Sequence, residues 1–244
     1  PLDRGLSLAQ VGALAAVQGV TVMILELPTG GLSDAIGRRP VLVLAVLADL
    51  AALGVLLAAA SVPMFFLYWL LKGIHRALDS GPLEAWYVDR ALARDPAADI
   101  ETGLSRGGAI TGAAVAGGAL LSGGLIALGP IAGVESLAVP VVAAIVLDVV
   151  SLTCVLILMT EERPARGVRA LVASVRGVPA AIGGAVRLAR GSRVVLALMA
   201  AEFLWGLGVP AFESLTPVRL TELLGDPERA AALMGPVGSA ATCM

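Results

Sequence analysis

The sequence predicts an all-α, polytopic membrane helical bundle. Three observations carry this: an apolar composition, repeated apolar runs long enough to cross a bilayer, and arginines gathered in alternate connections. The 244-residue chain is 58% hydrophobic and 15% charged, with a mean hydropathy of +0.91. Soluble domains carry roughly 25% charged residues, and a soluble protein of this size would need a far more polar surface. A net charge of −2 gives no support to nucleic-acid binding. Cys154 and Cys243 lie far apart in apolar surroundings, so neither a disulfide framework nor a metal site is expected. No cofactor is expected either.

Spans of about 20 residues are predicted at Leu8–Thr29, Pro40–Ala60, Pro63–Ala85, Leu104–Leu128, Ser136–Met159 and Arg193–Thr216, and a seventh begins near Arg229. The first span carries Glu26 near its end, just before Pro28, and the second carries Asp49 at mid-span. The third opens with Pro63-Met64-Phe65-Phe66-Leu67-Tyr68-Trp69, aromatic residues suited to a membrane interface. It then carries Lys72, His75, Arg76 and Asp79. Lys72, Arg76 and Asp79 follow at four and three residues and so share a helical face, which must point at protein or water rather than lipid. His75, the only histidine, is read as a polar packing residue, with proton shuttling as its alternative role.

The fourth span is a glycine helix. Its Gly103/Gly107 and Gly108/Gly112 pairs predict close contact with another helix. The fifth span carries Asp148. The sixth carries Glu202, Trp205, Glu213 and Pro210, the last a candidate kink. Intramembrane carboxylates are functional-site candidates by default. Glu202 is the preferred proton carrier, with Trp205 as a stacking surface for a cationic or apolar substrate. Asp49 and Asp148 are expected to serve structural pairing.

Charge placement orients the bundle. Arg38 and Arg39 lie in the first connection, Arg90, Arg94 and Arg106 in the third, and seven arginines from Arg163 to Arg193 in the fifth: twelve of the 17 basic residues. The opposite connections hold few. This asymmetry puts the arginine-rich side in the cytoplasm of a cell-membrane protein. Within the long fifth connection, Val168, Leu171, Val172 and Val175 recur at helical spacing between arginines. They predict an amphipathic helix lying on anionic membrane lipids.

The stretch Gly30-Gly31-Leu32-Ser33-Asp34-Ala35-Ile36-Gly37-Arg38-Arg39, expected as a loop between two spans, resembles the signature loop of the major facilitator superfamily. Gly30, Leu32, Ser33, Asp34, Gly37, Arg38 and Arg39 fit that pattern, and Ala35 departs from its usual basic residue. The resemblance implies that the chain holds helices two to seven and the start of eight. Residues 1–159 would be an N-terminal bundle lacking its first helix, 160–192 a cytoplasmic linker, and 193–244 the start of a C-terminal bundle. With Pro1 in place of an initiator Met, the sequence reads as an internal fragment.

By the same resemblance Gly30, Asp34, Gly37, Arg38, Arg39 and Asp89 form a latch that closes the cytoplasmic side. Asp34 would accept from backbone N–H groups at a neighbouring helix N-terminus, and Arg38 would fork onto Asp89. Lys72, Arg76, Asp79, Glu202 and Trp205 line the substrate and proton pathway, because the spans that carry them correspond to cavity-lining helices. The predicted activity is secondary transport of a small-molecule substrate by alternating access, coupled to protons, with export of drug-like or amphiphilic compounds favoured. The fourth span lacks the proline of the family's antiporter signature, which weighs against efflux. An uptake symporter or uniporter is the alternative. A membrane-embedded lipid-modifying enzyme is remote, because the acids are scattered one per helix rather than clustered.

Overall fold

The computed structural model of the chain describes residues 6–131, 133–161, 176–177, 179, 182–184, 186–226 and 229–234, without the side chains of Leu8, Leu27, Asp34, Trp205 and residues 207–214. The long helices among them are α1 (Leu8–Ile36), α2 (Arg38–Ala58), α3 (Val62–Asp79), α4 (Pro82–Arg94), α5 (Ile100–Ala127), α6 (Val139–Leu158) and α7 (Arg193–Leu224). Residues 229–234, where the seventh span was expected to begin, are helical too. Among the described residues there is no strand, only an isolated bridge between Ile131 and Val134. α1, α2, α5 and α6 are long and apolar enough to cross a bilayer. The bundle is all-α, as its composition predicts.

Three boundaries differ from the sequence reading. The expected loop at Gly30–Arg39 is almost entirely helical: α1 runs through Gly30 and Asp34 to Ile36, and α2 starts at Arg38. Gly37 alone breaks the chain, at φ 98°, a conformation open to glycine and strained for other residues. The i→i−4 ladder continues through Gly30 and Gly31, and Gly37 N still donates to Ser33 O at 3.1 Å. The third span ends at Asp79 rather than Ala85, because Gly81 adopts a left-handed conformation (φ 88°) and Pro82 then starts α4. The sixth span extends to Leu224, where Gly225 closes it in the left-handed conformation and donates its N–H to Thr221 O. The amphipathic helix expected on Val168, Leu171, Val172 and Val175 lies outside the described residues.

Two compact units are present: Pro1–Leu104 with Val141–Val178, and Ser105–Pro140 with Pro179–Met244. In the first, α3 packs against both α1 and α2. A serine–glutamine capping box starts α1: Ser7 Oγ accepts from Gln10 N at 3.2 Å and Gln10 Oε1 accepts from Ser7 N at 2.8 Å. One apolar cluster joins Leu6, Leu14, Ala59 and Phe65, the last 1% exposed. A second, around the Gly37 end, joins Val41, Ala45 and Leu78 with Leu32, Ile36 and Ile74. Between them Gly73 lets α3 approach α1, since a Cβ there would stand 2.6 Å from Thr21 Cβ. Thr29 Oγ1 donates to Ala77 O at 2.7 Å and bonds the same two helices.

In the glycine helix the close approach seen lies at its first turn. Gly103 faces the Tyr87 ring on α4, which a Cβ would overlap. Beyond the backbone of α5 itself and the adjoining residues, no described atom lies within 4 Å of the Cβ positions of Gly107, Gly108 or Gly112. α5 begins with Asp99 Oδ1 accepting from Thr102 N at 3.0 Å. Hydrogen bonds from Thr102 hold the Asp99 carboxyl below its usual range.

Candidate functional site

The charged residues of the first unit gather in two places. The first is the Gly37 junction. Arg38 and Arg39 open α2, and their backbone N–H groups have no partner inside the helix. The carboxylate of Glu161 accepts both, Oε1 from Arg38 N at 2.7 Å and Oε2 from Arg39 N at 3.3 Å. The next residue, Pro40, has no N–H to satisfy. An anion therefore sits on the positive end of the α2 dipole. The exchange is reciprocal: Arg39 Nη2 donates to Leu156 O at 2.6 Å, placing a cation on the carbonyl end of α6. Gly37 is needed here twice, for its positive φ and because a Cβ would lie 2.5 Å from Glu161 Oε2.

Arg38 Nη1 lies 2.8 Å from Asp89 Oδ2, with the side chains 18% and 34% exposed. This is the pairing proposed from the sequence. Nη1 makes no aligned hydrogen bond, however, so the contact is a charge pair rather than the expected fork. Trp86, also on α4, donates Nε1–H to Thr160 O at 3.0 Å. Glu26 Oε1 accepts from Ser80 Oγ at 3.2 Å beside the α3–α4 break. The side chain of Asp34 lies outside the described set; the N-terminus of α2 is occupied by Glu161. Sequence reasoning missed Glu161. Its one signal is position, an acid directly after the apolar run of α6.

The second place is mid-span, between α2 and α3. Lys72 Nζ donates to Asp49 Oδ1 at 2.6 Å, with side chains 25% and 12% exposed. His75 Nε2 lies 3.7 Å from Asp49 Oδ2, and its Nδ1 lies 3.0 Å from Ala45 O. On α6, Asp148 is partly buried, with Oδ2 shut off from solvent, and the same three side chains lie within electrostatic reach of it. Asp49 was read as a structural pairing residue, and its partner is Lys72. The shared face of Lys72, Arg76 and Asp79 divides: Lys72 turns to α2, while Arg76 and Asp79 are exposed and have no ion-pair partner among the described residues. His75 joins the charged cluster rather than standing beside it.

In the second unit Glu202 is exposed on α7. The side chains of Trp205, Pro210 and Glu213 lie outside the described set. Among the described residues no three His, Cys, Asp or Glu side chains form a metal-holding group.

Apolar helices of spanning length, with ionisable groups paired inside them and at their ends, define a polytopic integral membrane protein. The profile of the Major Facilitator Superfamily matches residues 2–244, and the chain belongs to that family of secondary transporters. No curated protein and no solved structure matches it.

Proposed function

We propose that the chain forms part of a proton-coupled transporter that moves a small, drug-like or amphiphilic solute by alternating access, with export favoured. The observation that carries this reading is the Gly37 junction. Arg38–Asp89 and Glu161 join three elements by charge across a one-residue turn, an arrangement that can open and reclose without unfolding a helix. We assign the latch to Gly30, Asp34, Gly37, Arg38, Arg39, Asp89 and Glu161. The pathway is assigned to Lys72, Arg76, Asp79, Glu202 and Trp205. Residues 1–159, 160–192 and 193–244 are taken as an N-terminal bundle, a linker and the start of a C-terminal bundle. The latch faces the cytoplasm of the cell membrane, in keeping with its arginines.

The test is flux of a lipophilic cationic dye such as ethidium in proteoliposomes containing the full-length protein. Flux should collapse when the proton gradient is dissipated, and Arg38→Ala should slow it while leaving the helical content unchanged. Flux that ignores the gradient would convert the reading to uniport. Undiminished flux in Arg38→Ala would remove the latch.

A further inference from the structure

We propose that the Asp49–Lys72–His75–Asp148 cluster is a proton-binding site, and that the proton is carried on Nε2 of His75 opposite the Asp49 carboxylate. The first argument is the tautomer. His75 Nδ1 stands 3.0 Å from Ala45 O, and a backbone carbonyl can only accept, so Nδ1 carries the hydrogen of the neutral ring. Nε2 then holds a lone pair, and it faces another acceptor, Asp49 Oδ2, at 3.7 Å. Two acceptors facing each other repel. One proton from water on Nε2 turns that repulsion into an N–H donor aimed at a carboxylate, and release returns the proton to water.

The second argument is charge balance. With a neutral imidazole the cluster holds one cation, Lys72, and two carboxylates, Asp49 and Asp148, a surplus of one negative charge. Oδ2 of Asp148 is shut off from solvent and has no hydrogen-bond partner among the described residues. A net charge between membrane-spanning helices is expensive. A single proton cancels it.

Among the described residues the surrounding groups supply no other counter-charge. On α3, Tyr68 is the other titratable group in electrostatic reach of Asp49, and Arg76 and Asp79 are exposed. On α1, Glu26 is engaged by Ser80, and the side chain of Asp34 lies outside the described set. Asp49 is the acid of α2 and Asp148 that of α6.

The role of this site in transport rests on the proton-coupled reading above. The site's existence is tested without substrate. Proton uptake by the full-length protein in detergent is counted as the pH falls from about 8 to about 5, a window that brackets histidine titration. The wild type should take up one proton more per molecule than His75→Asn, whose amide can still donate to Ala45 O. Asp148→Asn makes the cluster neutral without a proton, so it should lower uptake by the same one proton. Nitrogen NMR of His75, assigned by the signal lost in His75→Asn, should show a bare Nε2 at the alkaline end. A bare Nδ1 instead, or equal uptake by wild type and His75→Asn, would overturn the assignment. Loss in Asp148→Asn alone would put the proton on Asp148 and overturn it equally. A one-proton difference alongside gradient-independent flux would refute proton coupling and leave this site standing.

Discussion

The Gly37 junction and the Asp49 cluster use the same residue types for opposite ends. At the junction, charges meet helix termini: Glu161 on the N–H groups of α2, Arg39 on a carbonyl of α6. These partners are partly buried, but they sit at helix ends, where Arg39 Nη2 meets Leu156 O in an exposed contact, so a broken contact is more readily resolvated. Mid-span, Asp49 and Lys72 sit 2.6 Å apart in mostly buried surroundings. There a broken contact leaves a bare ion between helices. The first arrangement suits parts that must separate. The second suits parts that must stay together while their proton content changes.

The largest effect expected is at the buried pair. Asp49→Ala strands the Lys72 ammonium and should lower stability by about 3–5 kcal/mol, read as unfolding in detergent by circular dichroism. The double variant Asp49→Leu, Lys72→Met should recover most of that loss, since apolar replacement of both partners is near neutral. Equal losses in the single and double variants would mean that the pair is not a buried unit, and the contrast would fail. Next comes Gly37→Ala. It forces a positive φ on a Cβ-bearing residue and drives that Cβ into Glu161. About 1–3 kcal/mol of strain should appear as a lower melting temperature, together with slower dye flux.

A smaller effect is expected at Arg38–Asp89. A double-mutant cycle on Arg38→Ala and Asp89→Ala should give a coupling of about 0.2–1 kcal/mol that fades in high salt. A coupling above about 3 kcal/mol would place the pair with the buried kind and erase the distinction. The smallest effect is expected at Asp99. Hydrogen bonds from Thr102 hold its carboxyl below the unfolded value. Its contribution is therefore present above the unfolded pKa and lost as pH falls through the folded one. The group is fully exposed, so hydrogen exchange at the first turn of α5 should quicken only slightly on acidification, and Asp99→Ala should abolish that pH response.

Much of the fold was legible, because hydrocarbon demands long apolar helices and leaves few alternatives. Span starts at Leu8 and Arg193 coincide with helix starts. The misread segment, Gly30–Arg39, failed for a definite reason: glycine permits a turn without requiring one, so Gly30 and Gly31 continue α1 and the chain breaks only at Gly37. The Arg38–Asp89 pairing was readable because Arg38 opens the second apolar run and Asp89 is the first acid after Ala85, where the third was expected to end. Glu161 was not, since its contact with α2 bridges more than 120 positions. Each member of the mid-span cluster was recognisable as a charge out of place. What joined Asp49 to Lys72 and His75 is the axial register of α2 against α3, which apolar periodicity does not encode.

A junction of one residue has no slack. α-Helical residues advance about 100° each around the axis, at 3.6 per turn. The single step at Gly37 therefore fixes the phase of α2 relative to α1, and α1 is itself tied to α3 through Thr29 and Ala77. Twist applied to one of these three rods is transmitted to the others rather than absorbed in the turn. The trio is thus coupled: Gly37 ties α1 to α2, and Thr29 with Ala77 ties α1 to α3, so the helices that carry Asp49, Lys72 and His75 share one frame.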